Sequence, residues 1–564
     1  MKEKYIDLME KSLSAYSDEH IQRYLDDVRA EGLSEHGFPR LTANIGILIA
    51  HGRRRDLLPI FLEMMDFCCR SIPNHLAAND FSVREIVSAL CEVEAAGAVP
   101  AERIQRWRED LATIDPAKTY NRFVTTVDIY YRNWVLFTAL SEFFRMKAGI
   151  GGSEEFLELQ LRQQMQWFDE NGMYGDDRHT PNHQPIQYDL VPRGLLCVLL
   201  NEGYRGESYE IIDKTLKKAG LLTLEMQSPI GEMPFGGRSN QFLLNEGWLI
   251  CILEYEAKRY AKEGDAALAE KFKAASARAL SLTEKWLNYH PISHIKNRFP
   301  IETKYGCEGY GYFDKYMITV ASLLYSAYTI CDDSIPFSPT VDDGRSAVKT
   351  TDAFHKLFLK CGGYGLEFDT DADPHYDAKG LGRIHRAGAP GAICLSCPCP
   401  SDPLYTVDIE KPFAFSLCSA IPAEDGWRFG AEDAHRYTVS SYGASEADAY
   451  ATLLCAFDNG KILKERYTVN EQGVSITVEG KGEIGYAIPI LCFDGEKSPA
   501  LEIGDHSLTV FYEGWICRYT TNGTVMDLER TAANRNGHYR AFLATAQHAL
   551  EVKIEILQES EREQ

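Results

Sequence analysis

The chain has 564 residues and a mass of 63.6 kDa, too long for one hydrophobic core, since such cores stop growing at about 250–300 residues. Its hydrophobic fraction of 45% and charged fraction of 25% are those of folded domains and exclude long disorder. A net charge of −23 excludes a nucleic-acid partner, because phosphate binding needs a cationic surface. No apolar run approaches the roughly 20 residues that cross a bilayer, so no membrane partner is expected.

The first twenty residues, MKEKYIDLMEKSLSAYSDEH, contain no signal-type apolar core, and a soluble, cytoplasmic chain is expected. Cysteines such as Cys91, Cys197 and Cys251 lie inside apolar helical patterns and read as reduced thiols. Apolar residues at helical spacing predict helices at 3–14, 17–31, 39–51, 55–71, 82–96, 100–113, 121–148, 154–169, 185–203, 207–226, 240–263, 266–288 and 313–331. Ser82 and Glu85 have the spacing of a capping box. Antiparallel helices in this number close into a two-layered ring or stack as a solenoid. With no fixed-period repeat in the sequence, the ring, an (α/α)6-type toroid over residues 1–335, is the expectation.

Residues 336–352, opening on Ile335-Pro336-Phe337-Ser338-Pro339, read as a linker. From 353 to 564 short β-type runs follow one another: 354–359, 405–409, 413–417, 437–441, 451–457, 464–469, 474–478, 488–493, 507–511 and 515–520. Turn signals such as Asp458-Asn459-Gly460 and Asn522-Gly523 separate them and predict an antiparallel β-sandwich. The fold class expected is therefore multidomain α + β, a toroid followed by a sandwich.

Chemistry is sought in the interhelical loops. Asp128 and Arg132 lie four apart within Asp128–Trp134, a spacing that more often makes a surface ion pair. Residues 176–193 concentrate Asp177, Arg178, His179, Asn182, His183, Gln184, Tyr188 and Arg193 at a helix start, whose partial positive charge favours anions. Residues 231–246 combine Glu232, a Gly-Gly turn, Arg238, Asn240, Gln241 and Glu246. Residues 305–316 alternate glycines with Tyr305, Glu308, Tyr310 and Tyr312, poor packing material suited to sugar stacking or catalysis. His375 and His385 in the β-region match no standard zinc spacing and are expected to reach substrate over the toroid mouth; no metal or cofactor is expected. No phosphate-binding loop, dinucleotide fingerprint or serine-hydrolase elbow is found.

A toroid joined to a sandwich, with Asn182-His183 before a helix and the Tyr305–Tyr316 loop, resembles the heparinase II/III-like and alginate-lyase group and the toroidal β-glucuronidases. The resemblance implies a uronate-containing oligo- or polysaccharide as substrate. In the lyase group an Asn-His pair and a Tyr serve the site, which implies Asn182, His183 and one of Tyr188, Tyr310 or Tyr312. A lyase would use His183 and a tyrosine as base and acid, with Asn182, Gln184, Arg193, Arg238 and Asn240 as neutralising donors. A glycosidase would use two carboxyls from Glu232, Glu246, Glu308, Asp189 and Asp314. Because Glu232, Glu246 and Glu308 accompany the most site-like loops, a glycosidase of β-glucuronidase type is placed ahead of a lyase, and a non-catalytic glycan-binding protein third. A homo-oligomer is compatible with the sequence.

Overall fold

The computed structural model describes residues 1–74, 79–121, 133–176, 180–338, 344–424 and 426–561. Asp128, Arg132 and the part of the 121–148 helix before Asn133 lie outside them, as do Asp177, Arg178 and His179.

The helices are α1 (Lys2–Leu13), α2 (Asp18–Glu31), α3 (Gly37–Ala50), α4 (Leu58–Ser71), α5 (Asn79–Ala95), α6 (Ala101–Ala112), the single turn α7 (Pro116–Thr119), α8 (Asn133–Lys147), α9 (Glu154–Gln164), α10 (Gln187–Asn201), α11 (Tyr209–Met226), α12 (Leu244–Glu263), α13 (Ala266–Leu287) and α14 (Phe313–Ile330). Their packing makes the toroid. Helix α3 packs on α5, α5 on α8, α8 on α10, α10 on α12, α12 on α14, and α14 returns to α3, closing an inner ring of six. Helices α1, α4, α6, α9, α11 and α13 lie outside it, each against an inner neighbour.

The sequence of each helix fits its layer. Inner α3, GFPRLTANIGILIA, is buried from Gly37 to Ile49 and is apolar on nearly every side. Outer α6 buries only Ile104, Trp107 and Leu111, a single stripe at i, i+3 and i+7. Several starts are capped by a side-chain oxygen: Ser17 accepts from His20 N, Ser153 from Phe156 N and Asp265 from Leu268 N. Ser82 and Glu85 form no cap, because α5 begins at Asn79 and Glu85 is buried as an acceptor for Arg84.

The strands begin at β1 (Ser346–Lys349), inside the stretch read as a linker, and continue with β2 (Lys356–Cys361), β3 (Tyr364–Asp369) and β4 (Gly380–Arg386), an antiparallel sheet in the order β1-β2-β3-β4. The larger sheet holds β5 (Ser419–Ala423), β6 (Gly426–Phe429), β7 (Ala434–Ala444), β8 (Ala449–Phe457), β9 (Ile462–Asn470), β10 (Gly473–Phe493), β11 (Ala500–Gly504), β12 (Ser507–Tyr512), β13 (Trp515–Thr521), β14 (Thr524–Asn534) and β15 (Gly537–Gln558). Its order is β11-β12-β13-β15-β10-β9-β8-β7, with β14 on β15 and β5 on β10. The four-stranded sheet lies over β7, β8 and β9, and one apolar core runs between the layers. The 405–409 and 413–417 runs form only isolated bridges at Tyr405, Phe415 and Leu417. Among the described residues no helix is long and apolar enough to cross a membrane.

Candidate active site

Each inner helix brings its first described turns to one end of the ring, around a cavity of about 510 Å³. Arg40 comes from α3, Phe81 from α5, Asn133 from α8, Tyr188 from α10, Leu244 from α12 and Lys315 from α14. Macrodipoles make helix starts partly positive, and those of α3, α10, α12 and α14 face this space. Phe137, Val191 and Trp248, about one turn deeper, give it an apolar floor.

A cluster of hydroxyls lies on one wall. Tyr188 Oη is 2.9 Å from Ser239 Oγ, which is 2.8 Å from Tyr310 Oη. The Arg238 guanidinium lies 4.0 Å from the centre of the Tyr188 ring and pairs with buried Asp176 at 2.7 Å. Asp176 also accepts from the Asn133 backbone and side chain, both at 2.8 Å. Burial raises the Tyr188 pKa, with Arg238 opposing it; burial holds the Tyr310 phenol well above its ordinary range, and Tyr188 adds to this.

Ser239 itself is pinned. Its backbone has φ of 60°, in the left-handed region that side chains rarely occupy. Its N–H donates to Glu308 Oε1 at 2.6 Å and its carbonyl accepts from Asn245 Nδ2 at 3.0 Å. Glu308 is in turn clamped by Arg535, from the β14–β15 turn, through bonds of 2.6 and 3.1 Å.

The opposite wall is imidazole and cation. Arg40 Nη1 lies 2.9 Å from His36 Nδ1. A guanidinium only donates, so Nδ1 accepts and the proton of the neutral ring sits on Nε2. Burial, with Arg40 and Lys315 nearby, holds the His36 pKa well below its ordinary value. Glu35 is the one carboxylate among the described lining residues, and its oxygens accept from Tyr24 Oη and from Gly37 N at 2.6 Å.

The sequence-predicted residues divide sharply. Tyr188, Arg238 and Tyr310 meet at the cavity, with Glu308 behind Ser239. The others lie elsewhere. Glu232 is buried against Lys296 and Arg383, both at 3.1 Å, and Glu246 against Lys296 at 2.7 Å, so both serve the seam between the domains. Arg193 is locked onto Asp189 and Thr223 within the ring. Asn240 and Gln241 bond each other, Asn240 donating to Pro234 O and Gln241 accepting from Asn536. Asn182 is exposed, Gln184 donates to Thr180 O, and His183 faces His355 with its pKa raised by a hydrogen bond to Asp371.

Tyr305 stacks on Phe299 and donates to Gly537 O, while Tyr312 is exposed beside Lys304 and Lys315. His375 lies at the surface against Asp402 O, and His385 is buried on Ser228 Oγ at 2.6 Å, its pKa pushed down to about 3 by burial and Arg383. Among the described residues no group of three or more His, Cys, Asp or Glu could hold a metal ion. Sequence reasoning passed over Ser239, Lys315 and Tyr316 inside segments it had marked, and missed His36 and Arg40. Their only signal is a His and an Arg four apart at the start of an apolar helix.

No family model matches the chain, and no curated protein matches it by sequence. In three dimensions it is similar to a heparan sulfate lyase HepC mutant from Pedobacter heparinus, at 8% identity and a TM-score of 0.48, over 92% of this chain and 76% of that one. It is similar to a heparinase III gene product at 10% and 0.49, over 93% and 78%. A chondroitin AC lyase from Streptomyces coelicolor A3, in complex with chondroitin sulphate, gives 12% and 0.46, over 98% and 82%. The toroid-and-sandwich layout expected from the sequence is the layout that the helix and strand packing of this chain forms. The preference for a glycosidase over a lyase is corrected. Glu232, Glu246 and Glu308 are ion-paired away from the cavity lining instead of facing each other across it, which leaves no carboxyl pair for hydrolysis among the described lining residues.

Proposed function

We propose that the chain is a β-eliminating lyase that cleaves uronate-containing oligo- or polysaccharides in the toroid cavity. The observation that carries this reading is the Tyr188–Ser239–Tyr310 hydroxyl cluster beside Arg238, in a cavity where Glu35 is the one carboxylate among the described lining residues. Elimination removes the proton on the carbon next to the uronate carboxylate and expels the glycosidic oxygen one carbon further on. It needs a base, an acid and positive charge on the carboxylate, where charge develops in the transition state. Tyr188 is the base in its phenolate form, a minority form because burial raises its pKa and one that the neighbouring Arg238 cation favours, and Tyr310, nearer the mouth, donates to the leaving oxygen. Lys315, Arg238 and the starts of α3, α10, α12 and α14 neutralise the carboxylate, and His36 offers its Nε2–H as a neutral donor.

The test is incubation with polyuronates and with heparan and chondroitin sulphates, following ultraviolet absorbance and product mass. The expected product carries a conjugated double bond and no added water. Tyr188→Phe should lower kcat by about 10²–10⁴, the usual worth of a general base. A product heavier by one water and without the chromophore would overturn the proposal.

A further inference from the structure

Elimination with separate base and acid leaves the protons misplaced. After one turnover Tyr188 is a neutral phenol carrying the substrate proton, and Tyr310 is a phenolate that has given its proton to the leaving sugar. Neither can act again until one proton moves from the first to the second.

Ser239 Oγ stands between them, 2.9 Å from Tyr188 Oη and 2.8 Å from Tyr310 Oη, both within the range of O–H···O bonds. A serine hydroxyl donates one proton while accepting another and turns freely about its C–O bond. Everything else about the residue is fixed: its N–H by Glu308, its carbonyl by Asn245, and Glu308 by Arg535. Its backbone sits where glycine would be unstrained, at a cost of order 1–3 kcal/mol for a residue with a side chain. The geometry therefore spends strain to hold a hydroxyl between two phenols.

We infer that Ser239 is a proton relay that resets the site after each turnover, an inference that rests on the lyase reading above. In the reset step the Tyr188 O–H bond breaks and its proton passes to Ser239 Oγ, while the Ser239 O–H bond breaks and that proton passes to the Tyr310 phenolate. Tyr188 returns to phenolate and Tyr310 to phenol. No oxidant, reductant or outside acid takes part. Ser239 acts through the two tyrosines and not on the sugar.

The experiment is rapid-mixing kinetics of the unsaturated chromophore for the wild type, Ser239→Gly and Ser239→Ala, with circular dichroism as a check of folding. Ser239→Gly removes the hydroxyl and relieves the backbone, so it tests the relay even if Ser239→Ala misfolds. Wild type should turn over without a burst. The variants should release one equivalent per enzyme at close to the wild-type rate and then run at least tenfold slower, and small buffers such as imidazole should speed the slow phase. Loss of the first turnover to the same degree as the later ones would make Ser239 only a positioning group and overturn the relay. So would wild-type steady turnover in both variants. Wild-type protein that releases no chromophore from any uronate polymer would overturn the lyase reading itself, and the relay with it.

Discussion

Asp377 and Glu367 lie in a band of buried charge where the toroid loops meet the four-stranded sheet. Glu367 accepts from Phe235 N and Arg383, and Asp377 from Gly237 N at 2.7 Å. Burial pushes the Glu367 carboxyl up to about 7 and the Asp377 carboxyl up to about 6. Both hold a proton more tightly folded than unfolded. Their share of stability is therefore complete below about pH 4 and is lost as pH rises through 6 to 7. Glu232, in the same band, has the opposite sign: despite burial, Lys296 and Arg383 hold it down at about 2, so its share is lost only as pH falls from about 4.5 toward 2. Chemical unfolding at pH 5 and pH 8 should show the wild type weaker at pH 8. Asp377→Asn should flatten that difference by ~1.4 kcal/mol at most, the part of its shift that lies between pH 5 and its folded value near 6; equal slopes in the two proteins would reject the assignment.

This band also explains where reading the residues alone went astray. Glu232 and Glu246 look like catalytic acids in a Gly-rich loop, but their cationic partners, Lys296 and Arg383, are 50 or more positions away and carry no local mark. Arg238, Tyr188 and Tyr310, which line the cavity, stood out in the sequence because a cation or phenol in a glycine-rich or helix-starting segment has little to pack against.

At the scale of elements, the ring depends on close approach between inner helices. Gly194 of α10 lies against Trp248 of α12, and a Cβ there would meet the indole at 2.4 Å. Gly194→Ala should destabilise the protein by about 1–3 kcal/mol through overpacking, seen as a lower Tm. It should also weaken substrate binding, since Trp248 floors the cavity. Gly309, where a Cβ would meet nothing within 4 Å, supplies the control, and Gly309→Ala should leave Tm unchanged. Helices were readable because burial on one side leaves a 3.6-residue period over many turns. Strands were less so. The 21-residue β10 read as two separate runs, because Gly480-Lys481-Gly482 interrupts its pattern beside a bulge against β15. The 22-residue β15 was passed over: its second half alternates, but its first half, GHYRAFLATAQ, carries a continuous buried run over residues 541–544 that breaks the two-residue period.

For the molecule as a whole, the layout was carried by the order of its patterns, a long helical tract followed by short strands, whereas the dependence of one domain on the other was not. The Arg535–Glu308 pair joins the last β-turn to the cavity wall, although 227 positions separate the two residues. Because the first described turns of every inner helix lie at the cavity, each outer helix carries the chain back toward it, running the opposite way. The axial fields of the two layers then largely cancel beyond the molecule, and the positive potential is confined to the cavity. A polyanion in solution meets chiefly the field of a −23 particle. Added salt should therefore accelerate its capture up to about physiological ionic strength, by screening repulsion over the Debye length of roughly 8 Å, where steered partners of opposite charge are slowed. Association rates measured from roughly 10 to 150 mM salt, over which the screening length falls from about 30 to 8 Å, would give a rising curve. A polyanion would therefore be captured faster in moderately saline than in dilute surroundings.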